Sequence, residues 1–136
     1  MIANQSLAEY KIVKIELGGI FNPVPKEDYT KVIAEYSSKG WHLVQIFAPG
    51  MSNNGLPKFF DVIFEKTQQL YEYKIIKIEL GGIFNPVPKE DYTKVIAEYS
   101  AKGWNLVQIF APGMANNGLP KFFDVIFERP IQNANS

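Results

Sequence analysis

The chain has 136 residues, and its 14 Lys+Arg balance 14 Asp+Glu, so it lacks the basic excess from which phosphate-backbone binders draw most of their affinity. It contains no cysteine, which excludes disulfides, zinc–thiolate sites and thiol nucleophiles. A hydrophobic content of 46% suits a packed core. The first residues lack the apolar centre of a signal peptide and no apolar run reaches membrane-spanning length, so the sequence reads as cytoplasmic with no membrane partner.

In chain order, residues 10–17 read as a strand, with Val13, Ile15 and Leu17 alternating with Lys14 and Glu16. Gly18-Gly19 ends it, and residues 22–25 (Asn-Pro-Val-Pro) read as a turn whose last proline opens a helix over 26–39. Glu27 and Asp28 fall near the positive end of the helix dipole. The helix carries an apolar stripe of Tyr29, Val32, Ile33 and Tyr36. Lys39 and Gly40 fit its C-terminus, with Gly40 at C′. Residues 41–47 read as a second strand, 48–58 as a long loop and 59–65 as a third strand. In that third strand Phe60, Val62 and Phe64 share a face.

The same series then recurs. Residues 10–65 align with 73–128 at a constant offset of 63, and of these 56 positions only Val13/Ile76, Ser38/Ala101, His42/Asn105 and Ser52/Ala115 differ. Residues 1–66 form the first module and 71–130 the second, with 67–70 a linker and 131–136 a flexible tail. Each module has a helix on one sheet face and leftover apolar residues (Ile12, Phe59, Ile63) on the other. A module of this size is marginal alone, and the linker is short, so the copies should cover each other. The expected fold is α+β: two tandem βαββ modules, antiparallel-containing sheets each with one helix, forming a pseudo-two-fold intramolecular dimer. Sheets stacked face to face with the helices outside are preferred to one continuous six-stranded sheet.

The Tyr-Glu-Tyr-Lys string (Tyr71 to Lys74), Gly103-Trp104, Leu106 to Phe110 and Phe123 to Glu128, in this order and spacing, resemble a known family. It is the group of small bacterial and phage proteins called domain of unknown function 4177, and both copies share the resemblance. It implies the fold and a prokaryotic, soluble setting. It implies no catalytic residues.

Candidate chemistry is thin. Trp41 and Trp104 follow the capping glycine and read as packing anchors. His42 is the only histidine, and its counterpart is Asn105, so a histidine base would exist in one half only; it reads as an exposed residue at a strand start. Glu27-Asp28 and Glu90-Asp91 are helix neighbours that point apart, unlike paired hydrolytic acids. Gly18-Gly19 has neither dinucleotide nor P-loop spacing. No metal-ligand spacing occurs, so neither catalytic nor metal residues nor cofactors are expected. The long loops, 48–58 and 111–121, exceed what a hairpin needs. Together with the first loop of each module they give the candidate binding residues: Phe21, Asn22, Asn53, Asn54, Lys58, and in the second copy Phe84, Asn85, Asn116, Asn117, Lys121.

The leading functional reading is a non-catalytic binding or assembly module with two pseudo-equivalent sites. Its partners would be the other repeat, a further copy of the chain, a small molecule or a protein. Three alternatives stay open: a protein that sequesters a small nucleotide signal, an enzyme using Asp, Lys or Tyr, and a nucleic-acid-binding sheet. The neutral charge and the missing ribonucleoprotein aromatic motif weigh against the last.

Overall fold

A computed structural model of the chain describes residues 7–18, 24–25, 28–48, 59–81, 87–88, 90–111 and 122–132. The first module comprises β1 (Tyr10–Gly18), β2 (Val24–Pro25), α1 (Tyr29–Ser38), β3 (Trp41–Phe47) and β4 (Phe59–Lys66). The second comprises β5 (Tyr71–Gly81), β6 (Val87–Pro88), α2 (Tyr92–Ala101), β7 (Asn105–Phe110) and β8 (Phe122–Pro130). Each module is an antiparallel sheet with one helix, ordered β2-β1-β4-β3 and β6-β5-β8-β7. The α+β class and the three long strands per module are as the alternation of the sequence predicts.

The helix begins later than residue 26. Val24 and Pro25 pair with Gly18 and Leu17 as a two-residue edge strand, a place where proline's missing N–H is tolerated. Asp28 is the N-cap instead: its carboxylate accepts from the Thr30 amide at 3.0 Å and from its hydroxyl at 2.6 Å. Asp91 does the same for Thr93. Both helices end at a glycine with positive φ, Gly40 at 93° and Gly103 at 94°, as the C′ reading requires.

A bulge fixes which residues of β3 face the helix. Leu43 pairs with Phe64 and Ile46 with Val62, while Val44 is the extra residue between Leu43 and Gln45. Leu43 and Ile46 therefore share the α1 side, and His42, Gln45 and Phe47 share the opposite face with Glu65, Ile63 and Asp61. The same shift at Val107 puts Gln108 and Phe110 on the open face of the second sheet.

The two modules do not meet by a two-fold axis, and the helices are not both outside. The flank of the first module, formed by α1 and the edge strand β3, rests on the open sheet face of the second. Ile126 of β8 belongs to the core cluster of the first module, with Tyr73, Ile75, Val107 and Phe110 packed around it. The second module keeps its own smaller core of Ile78, Val95, Trp104, Val125 and Phe127. The expected pseudo-two-fold arrangement is thereby replaced by a head-to-tail one, in which unlike surfaces meet. The expectation failed because both faces of each module are apolar enough to pack, and alternation alone cannot say which face meets which.

The short connection is held in place. The Thr67 amide donates to the Gly40 carbonyl at 2.9 Å, and the Ile131 amide to the Leu70 carbonyl at 2.9 Å. Ile131 is thus tied to the linker, although the tail was expected to fray from that residue.

Candidate assembly interface

The interface is built from an edge strand and a helix on one side and a pleated face on the other. An edge strand carries unpaired backbone groups, and here side chains of the second module take them up. The Leu43 amide donates to the Tyr73 hydroxyl at 2.9 Å. The Ile46 amide donates to Gln108 Oε1 at 2.7 Å, and Gln108 Nε2 donates back to the Ile46 carbonyl. One glutamine side chain thus imitates a strand partner.

Two further polar contacts flank this clamp. From α1 the buried Tyr29 hydroxyl donates to the buried Asp124 carboxylate. At the start of β3, His42 Nε2 lies 2.9 Å from both carboxylate oxygens of Glu128, and its ring stacks on Tyr71 at 4.2 Å between centroids. Apolar contacts fill the space between: Phe110 meets Tyr29 and Phe60 edge-on at 5.0 and 5.6 Å.

Burial decides the protonation of these groups. Desolvation, then the neighbouring Asp124, raises the Tyr29 hydroxyl far above its ordinary value. Desolvation also raises Tyr73; the Leu43 amide opposes this and Glu128 adds to it. Asp124 is raised by burial, against the pull of the Tyr29 hydroxyl and of Lys77. Among the described residues, no buried side-chain nitrogen or oxygen lacks a partner.

The tryptophans sit where a packing anchor should. Trp104 is buried at the end of α2, its amide donating to the Tyr99 carbonyl at 3.0 Å. The Arg129 guanidinium covers its ring at 4.1 Å. Arg129 also pairs with Glu72 at 3.0 Å, and both line a shallow depression with Gly103, Pro130 and Gln132. Among the described residues no group of three or more His, Asp or Glu is placed to hold a metal. Among the described residues no helix is long and apolar enough to cross a membrane.

All ten candidate loop residues, Phe21, Asn22, Asn53, Asn54, Lys58, Phe84, Asn85, Asn116, Asn117 and Lys121, lie outside the described residues. The residues that do join the halves are others: Tyr29, His42, Tyr73, Gln108, Asp124 and Glu128. His42, read as an exposed residue at a strand start, is partly buried in this joint. Two signals pointed there. His42 is one of the few positions where the copies differ, and Gln45/Gln108 is a polar residue inside an otherwise apolar strand.

The profile of the family described as a domain of unknown function (DUF4177) matches residues 9–67 and again 71–130. The chain belongs to this family and carries its domain twice in tandem. No curated protein matches the chain. No solved structure matches it either.

Proposed function

We propose that the chain is a non-catalytic assembly module whose surfaces bind protein rather than transform a substrate. One observation carries the reading: the sheet face that in the second module receives a neighbour is present again, uncovered, on the first. There Ile12 is 63% exposed and Phe47 42%, although their counterparts Ile75 and Phe110 are packed against the other module. Several large apolar residues exposed on one sheet face favour a binding surface. The polar groups of the joint are consumed in holding it together, which supports a structural role for them.

Nucleic acid suits the open face poorly. Glu16, Asp61 and Glu65 lie on it beside Phe59 and Ile63, and these three carboxylates outweigh Lys14 on the same face and would repel phosphates.

A thermal-shift screen of nucleotides, sugars and common metabolites tests the reading. A flat profile is expected. A ligand present at about 100 times its Kd would stabilise the chain by about 2.7 kcal/mol, and such a shift would overturn the assembly reading in favour of small-molecule sequestration.

A further inference from the structure

The contact between the modules is heterologous, and its two halves are written into both copies. In the joint, the flank of the first module (call it the plug) enters the face of the second (the socket). Among the described residues, an uncovered socket therefore remains on the first module and an uncovered plug on the second. We propose that these two surfaces mate between molecules, so that the chain assembles head to tail with further copies of itself. This rests on the assembly reading above and names its partner.

The burial values show both free surfaces. In the plug, Tyr29, Leu43 and Ile46 are 6%, 2% and 2% exposed, whereas their counterparts Tyr92, Leu106 and Ile109 are 45%, 46% and 37% exposed. In the socket, Tyr73 and Ile75 are packed in the first module's core cluster, whereas Tyr10 and Ile12 are 56% and 63% exposed. Large apolar residues of both surfaces thus stand in water in the single chain.

Each bond of the internal joint has its equivalent ready. Tyr92 matches Tyr29 as donor and Asp61 matches Asp124 as acceptor. Gln45 is the equivalent of Gln108, with the Ile109 backbone as its target. Tyr10 is the equivalent of Tyr73, with the Leu106 amide as its donor. Asn105 replaces His42 opposite Glu65, and an amide can donate to that carboxylate. The one contact with no equivalent is the stack on Tyr71, whose counterpart is Ala8. The joint within the chain thus carries an extra aromatic contact that the joint between chains lacks.

Heterologous contacts close into a ring if the rotation per step permits, and otherwise run on as a filament. Both outcomes consume every plug and socket except those at filament ends.

The test uses the full chain and two variants at exposed positions, Ile12→Glu in the free socket and Leu106→Glu in the free plug. Circular dichroism melts check that each variant keeps its fold. Native mass spectrometry and light scattering, from low micromolar to several hundred micromolar, should show the wild type as multiples of the 15.4 kDa chain. Each variant alone should be monomeric, because one of its two surfaces is spoiled. Mixed together, they should form a 1:1 dimer that grows no further, since Ile12→Glu keeps its plug and Leu106→Glu keeps its socket. A two-fold dimer would not give this complementation. A wild type that stays monomeric throughout, or variants that still assemble singly, would overturn the proposal. Those results leave the assembly reading intact, whereas a small-molecule thermal shift removes that reading, so the two failures are distinguishable.

Discussion

The Tyr29 hydroxyl of the first repeat donates to the Asp124 carboxylate of the second, whereas Tyr92, the same residue by sequence, is 45% exposed. Identical side chains thus have unequal energetic weight. Tyr29→Phe strips a buried carboxylate of its donor and should destabilise the chain by about 1–3 kcal/mol. Tyr92→Phe should stay within about 0.5 kcal/mol of wild type. Urea denaturation of the two variants side by side, in dilute solution where chains are separate, measures the difference, and equal losses there would contradict the head-to-tail joint.

The same inequality holds for apolar residues. Ile126 is fully buried between the modules, so Ile126→Ala should cost about 2–5 kcal/mol. Ile63 occupies the equivalent place in the uncovered face, where Ile63→Ala should cost about 1 kcal/mol. Thermal melts in dilute solution, where chains are separate, give the comparison.

Alkaline pH should open the joint. Tyr29 and Tyr73 both hold their protons more tightly in the folded chain than the ordinary value of 10.0 implies. Their contribution is therefore fully present below pH 10.0 and is lost as pH rises through the folded values. A Tyr29→Phe/Tyr73→Phe variant should be less stable at neutral pH yet decline less steeply above pH 10.0. Melting temperatures taken on either side of that pH decide the matter.

At the acid end Asp28 carries the opposite sign. Its hydrogen bonds to Thr30 lower its pKa below 3.8, so its stabilisation is present above that pH and fades as pH falls through the folded value. Asp28→Ala removes the cap and should cost about 1 kcal/mol at neutral pH. Asp28→Asn keeps a capping acceptor, so it should hold neutral stability while losing part of the acid sensitivity. Asp124, raised by burial, works against this trend: its contribution to stability falls as pH rises from 3.8 through its folded value.

His42→Asn would convert the internal joint into the form its second-copy counterpart takes. The bond to Glu128 is weakened and the stack on Tyr71 is lost, so a loss of about 1 kcal/mol is expected. Asn105→His, on an exposed position, should leave the stability of the isolated chain unchanged.

Strands, helices and the duplication were legible because alternation and the 3.6-residue period are local. The helix start was not. Pro25 looked like a first-turn proline, yet it pairs with Leu17, and the cap falls to Asp28 through a side-chain bond to Thr30 that only the folded turn makes plain. The bulge at Val44 was also hidden. It lets Leu43 and Ile46, three residues apart, share a face although strict alternation would put them on opposite faces. Near-identical repeats concealed the joint most thoroughly. With the same residues offered by both copies, nothing local says which tyrosine is donor to which aspartate. Only His42, where the copies diverge, and the polar Gln45/Gln108 inside an apolar strand marked the place.

The near identity of β1 and β5 has a kinetic consequence. In the folded chain β4 pairs with β1, far back along the sequence, while β5 follows β4 after only the short connection from Lys66 to Tyr71. Since β5 carries almost the residues of β1, it could form nearly the same ladder on β4 as a local hairpin. Closing the shorter loop is entropically easier and faster. The quicker of the two partners open to that side of β4 is therefore the wrong one, and refolding should pass through a transient in which the repeats have exchanged strands.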